Sequence, residues 1–167
     1  FKANQPQQTL LFAAFDAEEL GLLGAQAFVK NTPVDSNRII LNINMDMVSR
    51  ADNGTLYAAG SYHYPKLKKY LKSDNNRIKL VAGHDNPKLG SDDWTNQSDH
   101  FVFHEKHIPF IYFGVEDHKD YHKSTDDYSR INKKTFEECV SIILEVVLKV
   151  DAGLSLQSTF REKLLMN

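Results

Sequence analysis

Apolar residues gather along this chain in short runs separated by polar and turn-forming stretches. Thr9–Phe15 (TLLFAAF) is apolar after its leading Thr. Such a run predicts a strand covered on both faces, as in a parallel sheet flanked by helices. Gly21–Lys30 carries Leu22, Leu23, Ala25, Ala27, Phe28 and Val29 and predicts a helix that stops before Pro33, since residues preceding proline avoid helical geometry. Arg38–Met47 (RIILNINMDM) predicts a second buried strand, and Thr55–Ala59 a third, bounded by Asn53-Gly54 and Gly60. Pro65–Lys72 suits a short amphipathic helix with proline at its opening. Ile78–Ala82 and Ile108–Phe113 complete the strands. A final helix presents Phe136, Val140, Ile143, Leu144, Val147 and Val150 on one face. The tail after Gly153 carries no clear pattern. Alternating buried strands and helices predict an α/β three-layer sandwich.

The length of 167 residues suits a single domain, and no repeat or linker divides it. A net charge of -2 gives no footprint for nucleic acid or an anionic membrane surface. No apolar run approaches the roughly 20 residues of a membrane-spanning helix. The single cysteine, Cys139, forms no internal disulfide, so a hydrophobic core must stabilise the chain. The sequence opens on Phe1 with no signal-like segment before the first expected strand. The expectation is a portion of a longer polypeptide or a chain whose leader was removed.

Four places offer chemistry. Asp16-Ala17-Glu18-Glu19 falls where the first expected strand ends, and ligands of open α/β sheets collect beyond the carboxyl ends of strands. Two adjacent carboxylates there can divide metal binding and proton transfer, or form an acidic helix start that complements the helix dipole. Asp46 ends the second strand between Met45 and Met47. A charge in that apolar setting calls for neutralisation, by a metal or by an arginine such as Arg50. Tyr121-His122 lies beyond the strand IPFIYF and its exit Gly114, with Ser124 and Asp126 close behind. Imidazole is a common zinc ligand that a nearby carboxylate can orient, and a tyrosine hydroxyl can donate to an oxyanion; an exposed loop is the plainer alternative. In Ser98-Asp99-His100-Phe101, Ser98 reads as a helix cap and Asp99 stays open. His63, His84, His104 and His107 read as surface or satisfied core residues.

FAAFDAEELGLLGAQAFV, ILNINMDMVSR, QSDHFVFHEKHIPFIYF and DYHKSTDDYSRIN occur in order from about Thr9 to Asn132. Together they resemble the zinc aminopeptidase family that includes bacterial leucine aminopeptidases and relatives of glutamate carboxypeptidase II and the transferrin receptor. The resemblance implies a mixed, mostly parallel sheet between helices. It implies two zinc ions and a peptide substrate. By the same resemblance Glu18 is the general base, Glu19 and His122 ligate one zinc, Asp46 ligates the second and Tyr121 assists the oxyanion. Asp99 and Asp126 would orient ligands or substrate. The family's export implies a periplasmic or extracellular location.

The family also carries a His-x-Asp motif upstream of the Glu-Glu pair, and no histidine precedes His63 here. The expectation is therefore a carboxyl-terminal part of one catalytic domain, truncated at its amino end and weak or inactive alone. An exposed edge should favour self-association or pairing with the missing amino-terminal part. A glutaminyl-cyclase-like acyl transferase with one zinc and a non-catalytic transferrin-receptor-like domain are the competing functions. Tyr121 favours the aminopeptidase over the cyclase, and the joint presence of Glu18, Glu19, Asp46 and His122 argues against a binding module. Gly83–Gln97 is expected to overhang the site, with Trp94 lining a substrate pocket or packing beneath the loop.

Overall fold

Phe110–Gly114 (FIYFG), the last of the expected strands, is buried at every position and runs through the middle of the sheet. The computed structural model describes residues 5–75 and 77–154. Within it the strands are β1 (Asn42–Met45), β2 (Thr55–Ala59), β3 (Lys79–Ala82) and β4 (Phe110–Gly114), in the spatial order β1-β4-β2-β3. β1 pairs with β4 and β2 with β3 in parallel, whereas β2 and β4 run antiparallel. The sheet is thus mixed and mostly parallel. It lies among three helices, α1 (Leu23–Lys30), α2 (His100–Glu105) and α3 (Lys133–Leu154).

Side chains alternate between the two faces of a strand. Phe110 and Tyr112 face α2, where the His100 ring lies 4.7 and 4.4 Å from theirs. Ile111 and Phe113 point to the opposite face, and α3 contributes Cys139, Ile142, Ile143, Val146 and Val150 to the core they share. Asn132 caps α3 in the N-cap manner, its side-chain oxygen accepting from the Thr135 N–H at 3.2 Å. The expected apolar face of this helix is corrected in part. Phe136, Val140 and Leu144 are 38%, 44% and 40% exposed, because the helix is apolar around more of its circumference than the sheet covers.

The largest correction concerns Thr9–Phe15. The segment is extended but pairs with no described strand, and Leu11 and Phe12 are 53% and 81% exposed. Its apolar character is real, yet a strand also requires partners for its backbone groups, and it is bonded to none of the described strands. Its end is packed by Phe15 against Phe28 and Phe103 at 5.4 and 6.1 Å, and Leu10 is partly buried. Elsewhere the expected strands are trimmed: Arg38–Met47 becomes β1 preceded by a 3-10 turn at Ser36–Arg38. Pro65–Tyr70 is a 3-10 helix that buries Leu67 and Tyr70. Most of the tail after Gly153 lies outside the described residues.

Candidate metal centre

The Glu18-Glu19 pair sits in a turn that Gly24 holds close. A side chain at Gly24 would come within 2.4 Å of the Asp16 carbonyl oxygen, so only glycine admits the 3.0 Å bond from the Gly24 N–H to that oxygen. Ala17 bends the chain with a left-handed backbone, φ 58°, and the Glu18 carbonyl accepts from the Gly21 and Leu22 N–H groups at 2.9 and 2.8 Å. The acidic-helix-start alternative is set aside, because the first turn of α1 contains no acidic residue.

Asp46 continues from β1, its N–H donating to the Phe113 carbonyl at 3.1 Å before Met47 turns away at φ 56°. Strand alternation puts Asn44 and Asp46 on one face. Both meet Ser98: the Asn44 amide donates to the Ser98 oxygen at 3.0 Å, and the Ser98 hydroxyl donates to Asp46 Oδ2 at 2.9 Å. Ser98 therefore grips Asp46 instead of capping α2, whose N-terminus has no side-chain cap.

His122 lies in the polar loop after β4, with φ 55°. Its Nε2 is 2.8 Å from Glu19 Oε1, and the Tyr121 ring stacks on it at 3.9 Å. Burial, then the charges of Asp117, Glu19, Asp46 and Glu18, raise the Tyr121 hydroxyl's proton affinity, which keeps it a donor. Glu18 is likewise held above the ordinary carboxylate range, first by burial and then by Asp46, Glu19 and Asp99, with His122 pulling the other way. Asp99 is raised by burial and by Asp46. Its Oδ1 is buried without a hydrogen-bond partner among the described residues. A cleft of about 580 Å³ opens beside Glu18 and Glu19, bordered by Leu22, Gln97, Phe101 and Val102.

Arg50 does not neutralise Asp46. Its guanidinium reaches Asp120 at 3.0 Å, Asp126 at 2.6 Å and Asp52 at 3.1 Å. Asp126 thus touches Arg50 instead of His122, and its other oxygen lies 3.6 Å from His118 Nε2. Ser98 is not the cap its place in the sequence suggests, Asn44 was missed, and His118 and Asp120, which the polar loop suggests are merely exposed neighbours, have side chains only 6% and 7% exposed. The polar alternation Asn42, Asn44, Asp46 within an apolar strand was the signal available for Asn44. In the segment Gly83–Gln97, expected to overhang the site, Trp94 packs inward: it is 8% exposed and stacks on His84 at 3.8 Å.

The donor types suit zinc, with the oxygen of Glu19 and the nitrogen of His122 in contact. Among the described residues no group of three or more His, Cys, Asp or Glu is gathered closely enough to hold a metal ion. The donors fit one ion in kind and supply part of its shell.

Glu19 and His122 are in contact beside a mixed α/β sheet, and after burial the nearby charges of Glu19 and Asp46 raise the proton affinities of Glu18 and Tyr121. The model of peptidase family M28 matches residues 1–147, and the chain belongs to that family. It is 28% identical over 157 residues to the aminopeptidase YwaD of Bacillus subtilis strain 168, a match covering 87% of this chain and 33% of that one. A probable zinc metalloprotease of Pyrenophora tritici-repentis is 25% identical over 167 residues, with 81% and 38% covered. Among solved structures, the zinc aminopeptidase BSAP of Bacillus subtilis matches with a TM-score of 0.59 and 26% identity, covering 82% of this chain and 34% of that one. The aminopeptidase from Aneurinibacillus sp. strain AM-1 shares the fold with a TM-score of 0.60 at 24% identity, covering 80% and 31%. The chain therefore spans about a third of the length of these relatives. No described helix is long and apolar enough to cross a membrane.

Proposed function

We propose that these residues serve a zinc-dependent aminopeptidase that removes N-terminal residues from peptides, and that they form the carboxyl-terminal part of its catalytic domain. Glu19 and His122 would hold one zinc ion, and Asp46 would hold a second. Zinc bound there supplies Lewis acidity for the scissile carbonyl and brings the pKa of water to about 7. Glu18 takes the proton of the attacking water and returns it to the departing amine; its raised proton affinity moves it toward the range such a shuttle needs. The Tyr121 hydroxyl, kept protonated by its surroundings, donates to the oxygen that becomes negative. Asp99, whose charge adds to burial in raising the proton affinity of Glu18, would orient ligands or substrate.

The observation that carries this reading is the 2.8 Å contact between His122 and Glu19 with Glu18 beside it. Glu18→Gln in the whole protein should lower turnover by roughly 10²–10⁴-fold with zinc content unchanged. Loss of zinc from that variant would make Glu18 a ligand and overturn the assignment. The chain by itself, with this partial donor set, should bind zinc weakly and hydrolyse peptides poorly. Tight binding of two zinc ions per chain in calorimetry would refute that. Self-association through the exposed apolar segment around Phe12 belongs to the same proposal, and a strictly monomeric species in light scattering would count against it. Export from the cytoplasm is proposed on the family resemblance, to be checked by fractionating cells that express the whole protein.

A further inference from the structure

We propose that Arg50 is a positioning residue for the metal centre, fixing the turn that carries Asp46 against the loop that carries His122. The inference rests on the zinc peptidase reading above. Arg50 closes the 3-10 turn directly after Asp46, its N–H donating to the Met47 carbonyl at 2.9 Å. Its side chain is 4% exposed. From there Nη2 donates to Asp120 Oδ2 at 3.0 Å and Nη1 to Asp126 Oδ1 at 2.6 Å. These two aspartates flank His122 on either side in the sequence. The third partner, Asp52, accepts from Nε and Nη2 at 3.2 and 3.1 Å and holds the guanidinium to its own turn.

Besides the contact of His122 with Glu19 at 2.8 Å, the loop is tied to the turn after β1 through Arg50. Lys123–Arg130 is exposed throughout, so apolar burial contributes little to its order. Its internal bonds are short-range: the Lys123 N–H to the Asp120 carbonyl at 3.0 Å, the Asp126 N–H to the Lys123 carbonyl at 3.0 Å, and the Thr125 hydroxyl to Asp120 Oδ1 at 2.9 Å. These shape the bend without attaching it to the body of the protein. Arg50 attaches it at two points. His122 needs that support, because its left-handed backbone at φ 55° persists only where surrounding contacts over-determine it. A planar fork suits this task and a lysine does not, since one ammonium cannot meet three carboxylates in fixed directions.

The test compares wild type with Arg50→Gln, Arg50→Lys and Asp126→Asn, using Val146→Ala as a control that weakens the core at α3 without touching the Arg50 ion pairs. Two readouts are taken: zinc affinity by competition with a chromophoric chelator, and amide hydrogen exchange of residues 118–127 in the metal-free protein. Arg50→Gln should lose roughly 10–100-fold in zinc affinity, the range expected when a partner behind the ligands is removed, and exchange in that segment should speed up. Arg50→Lys should fail to restore either. Val146→Ala should lower the melting temperature and leave both readouts at wild-type values. Should Arg50→Gln not fold, Asp126→Asn carries the test, because Asp126 is 39% exposed and its neutralisation leaves no buried carboxylate unpaired; it should move both readouts in the same direction by less. Wild-type exchange in the Arg50 variants overturns the positioning role. A wild-type chain that binds no zinc, with exchange still faster in the variants, overturns the zinc reading and leaves Arg50 as the anchor of the loop.

Discussion

Replacing Ser98 by alanine removes one oxygen and two hydrogen bonds from a place water scarcely reaches, Ser98 being 1% exposed. The neutral bond from Asn44 is worth about 1 kcal/mol, and the bond to the Asp46 carboxylate falls in the range of about 1.5–3 kcal/mol. Asp46 is only half-buried, so water replaces part of the lost donor and the lower end applies. Asn44 has no such relief: it is 8% exposed, and its remaining contact, His100 Nδ1 at 3.5 Å, is long for a hydrogen bond. The expected cost is about 2.5 kcal/mol. For a domain of this size that corresponds to a fall of roughly 5–10 °C in melting temperature. Urea unfolding followed by fluorescence of the single tryptophan, Trp94, measures it with a built-in control, since the slope against denaturant should stay constant. A cost below about 0.5 kcal/mol, the level of an ordinary surface substitution, would show that the Asn44–Ser98–Asp46 chain does not hold the strand end.

Further outcomes follow from the same structure. His100 Nε2 must be the protonated nitrogen, since it faces the Trp94 carbonyl at 3.0 Å, and burial lowers the ring's pKa to about 3. The unfolded chain therefore binds a proton between about pH 6.5 and pH 3 that the folded chain refuses. Through this residue stability should fall by about 1.4 kcal/mol per pH unit as pH drops across that window; a His100→Phe variant with the same slope in pH-dependent unfolding would refute this. Cys139 is fully buried, and burial raises its thiol to about 11, so a thiol reagent should modify it only after denaturant is added. Rapid labelling of the native chain would contradict the packing of α3. In the metal-free protein, Glu18→Gln should raise the melting temperature above the pKa of Glu18 and lose that advantage on acidification, because the raised pKa marks a carboxylate whose ionisation the folded state resists.

What could be read in the sequence depended on whether a residue's environment was local. β4 was legible because seven consecutive apolar or small residues, from Ile108 to Gly114, leave no side facing water. Thr9–Phe15 has the same pattern and takes no place in the described sheet, because hydrophobicity reports what a segment can bury and not which backbone will pair with it. Glu18, Glu19, Asp46 and His122 stood out by following apolar runs, and of these the structure brings Glu19 and His122 into contact. Arg50 and Asp126 stood out too, but for the wrong partners, Asp46 and His122, since the sequence does not show which positions far apart in the chain the fold brings within 3.0 Å. Ser98 was misread for the opposite reason: a serine near a helix start suggests a local cap, and a tertiary partner took its hydroxyl.

Ala17, Met47 and His122 adopt left-handed backbone although none is glycine, and each is, or directly adjoins, one of the proposed site residues. A side chain forced into that hand costs about 1–2 kcal/mol, so each bend is a cocked spring that the surrounding contacts keep from releasing. Warming or acid should loosen these catches before the sheet melts. In the whole protein proposed above, these bends would then give way while the spectroscopic signature still looked native, so that any loss of zinc would run ahead of unfolding.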